Sequence, residues 1–264
     1  MWAQKQFKTK RAYFLIVSIF VFTALIITTF SAAVNIYEKR TKIAEYFERK
    51  TSSTDYDQIN ESDLYWAEEI MNGGYILHFR HAERDKWIDV QMYDALESDV
   101  HEKGHDETRY AENDYFAEAV CLNNRGKIQA RAIGEHLKNI GLPIGPVVSS
   151  VSCRSRQTAD LAFGGYNSLH RILVHTGPYN EDTKLRVDSL KRFYSDLPIQ
   201  SGKNTIVSAH NSVIKCEMFI NDKCLSKPSL EEGGFYVISQ NGDGLIFEYE
   251  FHNFNHFNRV FYER

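Results

Sequence analysis

A short apolar run, Gly74-Tyr75-Ile76-Leu77-His78-Phe79, ends by delivering Arg80 and His81 side by side, and this junction constrains the chain more than any other stretch. A strand that stops at a cation and an imidazole suits the carboxyl edge of a parallel sheet, where strand ends and side chains converge. There the guanidinium can grip phosphate oxygens through two parallel bonds, and the imidazole can attack phosphorus. Taken alone, an Arg-His pair also arises by chance at the end of a packed strand, with the histidine a core residue.

Three further segments add to it. Leu122-Asn123-Asn124-Arg125-Gly126-Lys127-Ile128-Gln129-Ala130 runs into Ala132-Ile133-Gly134-Glu135-His136-Leu137, with Ile128, Ile133, Leu137 and Ile140 near helical spacing and Gly141 and Pro143 as a stop. Pro146-Val147-Val148-Ser149-Ser150 reads as a buried strand that turns through serines and presents Arg154 near a helix N-terminus, where backbone N–H groups favour an anion. Asn204-Thr205-Ile206-Val207-Ser208-Ala209-His210 is a second β-rich run ending in a histidine.

Coarsely, strands are expected near 75–80, 146–149, 171–175, 204–209, 234–239 and 245–250, and helices near 62–72, 126–140, 154–163, 182–195 and 211–219. This alternation predicts an α/β fold, a three-layer sandwich whose mostly parallel central sheet is flanked by helices. Gln240-Asn241-Gly242-Asp243-Gly244 reads as the turn of a final hairpin.

As a set, the four segments resemble the histidine phosphatase superfamily, the group that includes the cofactor-dependent phosphoglycerate mutases. The order Arg-His, Gly-x-x-Gln-Ala, Ser-Ser-(x)3-Arg-(x)3-Thr-Ala and late His is kept, and the resemblance covers the last three quarters of the chain. Ala82 stands where the family usually has glycine, and Val151 where it usually has proline. Neither change removes a chemical group. The resemblance implies a phosphatase that hydrolyses a phosphomonoester through a phosphohistidine at His81, with no metal and no cofactor. Arg80 and Arg154 would bind the phosphoryl oxygens, and His210 would donate to the same group. The proton donor for the leaving group should be an acid between the second arginine and the second histidine. Glu181 is the candidate, with Asp182 as the fallback; a helix-terminal acid is its plainer reading. Asn211 is either a phosphate contact or a helix N-cap. Arg84, with Lys86 and Arg156, is either a contact for a second anionic group on the substrate or an exposed charge.

The string Arg80-His81-Ala82-Glu83-Arg84 looks in particular like bacterial envelope members of the superfamily, among them the phosphatase of heptose phosphate in the lipopolysaccharide core. A phosphorylated small molecule or envelope phospho-sugar is the partner this implies, by analogy alone. Two alternatives stand beside it: a phosphomutase of the same superfamily, and a non-catalytic phospho-ligand-binding protein. Retention of both histidines and both arginines argues for chemistry.

Composition bounds the remainder. The chain has 264 residues, 43% of them hydrophobic, enough for one sizeable domain plus an appendage. A net charge of −4 and the lack of a basic stripe give nucleic-acid binding no support. Residues 12–34 form a run of 23 without a charge, which reads as a single transmembrane anchor; a cleaved signal peptide is the rival, disfavoured by the length of the run. The expected domains are a basic tail (1–11), the anchor (12–34), a stalk and linker (35–60) and a catalytic domain (61–264) with a polar insertion at 85–118. His101 and His105 fall in that insertion and read as part of a solvated loop rather than a metal site. His78 reads as structural, and the aromatic tail holding His252 and His256 as packing down on the domain. Cys153 reads as a small packed side chain, and Cys216 and Cys224 as near enough in sequence to bridge. Basic residues lie on both sides of the anchor, so their count does not decide orientation. The acid-free N-terminal tail and a Cys216–Cys224 spacing that allows a bridge, which would suit an oxidising compartment, put the N-terminus in the cytoplasm. The expectation is a single-pass membrane protein with its catalytic domain in the periplasm or outside the cell.

Overall fold

In the computed structural model, residues 59–85, 120–174, 183–224 and 230–262 are described. The basic tail, the expected anchor, the stalk through residue 58, residues 86–118 of the expected insertion (which include Lys86, His101 and His105), Glu181 and Asp182 lie outside the described residues. Among the described residues, no helix is long and apolar enough to cross a membrane.

The strand behind Arg80 and His81, β1 (Ile76–Arg80), alternates its side chains between two faces, as an extended chain must. Leu77 and Phe79 enter one core with Ile133, Leu137, Ala159, Phe235 and Phe257. Ile76 enters a second core with Val207, Leu190, Tyr194 and Tyr236. Phe79 stacks on Phe235 with ring centroids 4.6 Å apart and meets Phe163 edge-on at 5.1 Å. Truncating so enclosed a ring to alanine would cost about 3–5 kcal/mol. A strand buried on both faces belongs in the middle of a sheet.

The remaining strands are β2 (Ile144–Ser150), β3 (Ser168–His170), β4 (Asn204–Ala209), β5 (Phe235–Asn241) and β6 (Gly244–Phe251). They form one six-stranded sheet in the order β3-β2-β4-β1-β5-β6. β3, β2, β4 and β1 pair in parallel, whereas β5 pairs antiparallel with both β1 and β6. The mixed sheet with flanking helices agrees with the α/β expectation. The β5–β6 hairpin turns through Gly242 and Asp243, with the Asn241 Oδ1 accepting from the amides of Asp243 and Gly244 at 2.9 and 3.1 Å.

Among the described residues, five α-helices accompany the sheet: α1 (Glu61–Glu69), α2 (Asn124–Asn139), α3 (Cys153–Phe163), α4 (Thr183–Ser195) and α5 (Phe254–Tyr262). α1 begins with a reciprocal cap, since Asn60 accepts from the Asp63 amide and Asp63 accepts from the Asn60 amide. The expected tail packing of His256 is borne out: its Nε2 lies 2.7 Å from Oδ1 of Asp63, tying α5 to α1.

Three expectations need correction. No helix spans 211–219. Two 3-10 turns, Asn211–Val213 and Cys216–Met218, flank an extended Ile214 (φ −72°, ψ 128°). The Cys216–Cys224 disulfide and the pairing of Ile220 N–H with the Leu245 carbonyl at 2.9 Å draw this segment along β6, and that tertiary pairing takes the place of the expected helix. The strand expected at 171–175 lies at Ser168–His170, and Arg171–Leu173 is a 3-10 turn. Cys153 is also more than a packed side chain, being disulfide-bonded to Cys121 with Cα atoms 4.8 Å apart.

Candidate active site

Parallel pairing of β2, β4 and β1 brings three strand ends to one edge of the sheet. β1 ends at Arg80 and His81, β4 at Ala209 and His210, and β2 at Ser150, where the chain turns through Ser152 into α3 and Arg154. The register continues past the strands: the His81 amide donates to the Ala209 carbonyl at 3.0 Å, so His81 and His210 become neighbours. Their ring centroids are 5.3 Å apart with the planes at 69°.

His81 is buried, and its Nδ1 lies 2.7 Å from the carbonyl oxygen of Ala82. A carbonyl only accepts, so Nδ1 carries the hydrogen and Nε2 keeps the lone pair. Burial, and after it the charges of Arg154 and Arg80, hold the imidazole well below its ordinary pKa. The ring is therefore neutral at pH 7, the state a nucleophile requires.

Arg154 is buried on the first turn of α3 and donates from Nη2 to Nδ1 of His210 at 3.4 Å and from Nη1 to the Val120 carbonyl at 3.3 Å. Arg80 donates from Nη1 to the Leu230 carbonyl, and its Nη2 lies 3.4 Å from Glu232 Oε1. His210 is held on three sides. His78 donates from Nε2 to its carbonyl at 3.1 Å, and Ser150 and Ser152 place their hydroxyls 3.3 and 3.1 Å from its Nε2. His78 in turn accepts the Tyr194 hydroxyl at Nδ1, 2.6 Å away. Burial pushes His78 down to about 4, which keeps the ring neutral, and the His210 carbonyl, which only accepts, sets the hydrogen on Nε2. The expectation that His78 is structural fits this position beneath the site.

Motif residues without an obvious chemical role turn out to brace the site. The Thr158 hydroxyl accepts from the Ala82 amide at 3.0 Å and donates to the Arg154 carbonyl at 2.8 Å, joining the two functional segments. Gln129 accepts from the Glu83 amide at 3.0 Å and donates to the Glu232 carbonyl at 2.8 Å. Gly126 is required because a Cβ there would stand 1.9 Å from the Glu83 carbonyl oxygen. Asn123 caps α2 at the Gly126 amide, 2.8 Å away, and donates to the carboxylates of Glu83 and Asp85.

Among the expected site residues, Arg80, His81, Arg154 and His210 are brought together. Asn211 sits beside them, but its Oδ1 accepts from the Leu230 amide at 3.0 Å and the Tyr236 hydroxyl at 2.9 Å. It does not cap an α-helix, because it is itself the first residue of the 3-10 turn Asn211–Val213. Arg84 lies three residues beyond His81 and donates to the Asp85 carbonyl at 2.7 Å. Glu181 falls outside the described residues. Sequence reasoning missed three features: the serines around His210, the Glu232 partner of Arg80, and the Cys121–Cys153 bridge beside Arg154. Glu231-Glu232-Gly233-Gly234 held a signal for the second, since paired glycines before a strand mark a close backbone approach. The Gly233 amide does lie 3.2 and 3.3 Å from the Arg80 and His81 carbonyls. Among the described residues, no group of three or more His, Cys, Asp or Glu side chains is placed to hold a metal ion.

No family model matches the chain, and no curated protein matches it. The chain is similar to several solved structures. The protein histidine phosphatase SixA complexed with tungstate is similar at 14% identity over 67% of this chain and 95% of that one, with a TM-score of 0.43. A candidate phosphohistidine phosphatase SixA from Agrobacterium tumefaciens is similar at 18% identity over 67% and 97%, with a TM-score of 0.40. A candidate α-ribazole-5′-phosphate phosphatase from Escherichia coli is similar at 14% identity over 66% and 94%, with a TM-score of 0.41. At this level of likeness, what the site does has to be read from its own residues.

Proposed function

We propose that the chain is a phosphatase of the histidine phosphatase type, hydrolysing a phosphomonoester through a phosphohistidine at His81. One observation carries the reading. A neutral imidazole, its Nδ1 tied to the Ala82 carbonyl, keeps its Nε2 lone pair in a pocket shared with the cations Arg80 and Arg154. Nε2 attacks phosphorus, and the ester oxygen leaves with a proton from Glu181. Arg80 and Arg154 hold the equatorial oxygens, where negative charge is concentrated in the transition state. Water then attacks the phosphohistidine, releasing phosphate and restoring the ring. We assign Asn211 and Arg84 as further substrate contacts.

Purified full-length chain should release phosphate from an aryl phosphate, and His81→Ala should abolish release. Brief incubation with a labelled phosphomonoester should leave acid-labile label on His81. Activity near wild type in His81→Ala sinks the mechanism.

The substrate class we favour is a phosphorylated small molecule of the envelope, such as a phospho-sugar. We also propose that residues 12–34 anchor the chain and that the domain lies in the periplasm or outside the cell. Disulfides in the domain support this location, since the Cys121–Cys153 and Cys216–Cys224 bridges persist in oxidising compartments. A membrane-impermeant thiol label applied to intact cells carrying Ser53→Cys should react. Reaction only after the inner membrane is broken would return the domain to the cytoplasm.

A further inference from the structure

We infer that His78, held by the Tyr194 hydroxyl, is a positioning residue that aims His210 by gripping its backbone carbonyl. The inference rests on the phosphatase reading, in which His210 donates to the transferring phosphoryl group.

The sheet gives out just before His210. β4 pairs with β1 as far as Ala209, opposite Arg80, and the His81 amide takes the Ala209 carbonyl. His210 follows with extended backbone (φ −123°, ψ 150°), and the chain then turns through Asn211–Val213. The His210 carbonyl therefore lies beyond the ladder. It accepts from the Val213 amide at 3.2 Å and from His78 Nε2 at 3.1 Å. The first bond is made within the turn itself. The second comes from β1, three residues before the nucleophile, so the His78 ring ties the orientation of His210 to the strand that carries His81.

The direction of these bonds is fixed. A carbonyl oxygen only accepts, so His78 Nε2 carries a hydrogen. Burial keeps the ring neutral at pH 7, so Nδ1 is a bare lone pair. The Tyr194 hydroxyl, 2.6 Å away, then donates to it. Burial also holds that phenol well above its ordinary pKa, and the proton stays on oxygen. Reversing the bond would move the imidazole hydrogen to Nδ1 and set the Nε2 lone pair against the His210 carbonyl.

The plane of the ring is set as well. It stacks on Tyr236 with centroids 5.9 Å apart and planes at 22°, and the Tyr236 hydroxyl donates to Asn211 Oδ1 at 2.9 Å. One layer of Tyr194, His78 and Tyr236 thus supports the backbone of His210 and the side chain of Asn211. For packing alone an aliphatic side chain would serve at position 78. Ile76 on the same face of β1 and Val207 opposite on β4 are apolar, and a buried imidazole costs free energy unless its bonds are made.

The test compares four forms of the full chain on an aryl phosphate, with urea unfolding measured alongside. His78→Leu should lower kcat about tenfold to a hundredfold with KM within about twofold of wild type, because Arg80 and Arg154 still bind the phosphoryl group. His78→Gln, whose Nε2 can donate to the same carbonyl, should keep kcat within about threefold. Combining His78→Leu with Tyr194→Phe removes both partners of a buried bond, so the urea midpoint should return to near wild type while kcat stays low. A double variant whose kcat recovers with its stability overturns the inference, as does a His78→Leu protein with wild-type kcat. Nitrogen NMR of wild type at pH 7 should show His78 neutral with its hydrogen on Nε2. A hydrogen on Nδ1 alone overturns the inference without any variant. If wild type releases no phosphate, the phosphatase reading itself falls and takes this inference with it.

Discussion

Glu232 faces Arg80 with its Oε1 3.4 Å from Nη2, so one arginine at the end of β1 has a carboxylate behind it. Both side chains are partly exposed, and a pair of this kind contributes modestly to stability. Its value lies in aiming the guanidinium. Glu232→Gln keeps the shape and removes the charge. We expect KM for a phosphomonoester to rise about threefold to tenfold, with kcat little changed. A fall in KM would instead mean that Glu232 repels the phosphate.

Thr158 holds Ala82 and Arg154 at once, and Thr158→Val leaves a buried amide and a buried carbonyl without that hydroxyl. Unfolding free energy should drop by about 1–3 kcal/mol in a urea titration. The loss of activity should exceed what the unfolded fraction explains, because the His81 and Arg154 segments are no longer joined. A stable and fully active variant would show that packing alone sets their spacing.

Acid should destabilise the fold in a defined window. His78 is pushed from 6.5 down to about 4 by burial, so the unfolded chain binds a proton that the folded chain refuses between those values. Its neutral-state stability is fully present above pH 6.5, declines as pH falls, and is spent below about 4. For so buried a ring this amounts to about 3 kcal/mol. Burial depresses His81 and His136 as well, adding in the same direction. Urea midpoints at pH 7, 5.5 and 4 should fall in that order, and His78→Gln should flatten the trend.

Leaving-group chemistry probes Glu181. Glu181→Gln should slow alkyl phosphates far more than aryl phosphates, because a good leaving group needs little protonation. Equal loss on both would give Glu181 a binding or structural role and turn attention to Asp182.

The parts of the fold legible in the sequence are those where local pattern and tertiary demand coincide. β4 matches its expected range because Asn204–Ala209 is buried at every position and reads as an unbroken β-rich run. α2 was visible from periodicity and its Gly-Pro stop. At 211–219 the expected helix does not form, because Val213, Ile214 and Met218 all bury without one once the segment is drawn along β6. Within the site, the chemical groups announced themselves and their supports did not. Ser150, Ser152 and Ser155 are unremarkable in a turn until β4 brings His210 against them. Cys121 and Cys153 are 32 residues apart, too far for spacing alone to suggest a bridge.

The place of β1 has a consequence for biogenesis. Its two neighbours in the sheet are β4 and β5, and both are made long after it. A nascent chain that has not reached Asn204 therefore carries Arg80 and His81 on a strongly apolar strand with both edges open, the arrangement most prone to adhere to other chains. Until synthesis passes Ala209, His81 also lacks the carbonyl that its amide will bind. Any nick or truncation on the C-terminal side would thus damage the centre of the sheet first, leaving a product that precipitates rather than one that merely works slowly.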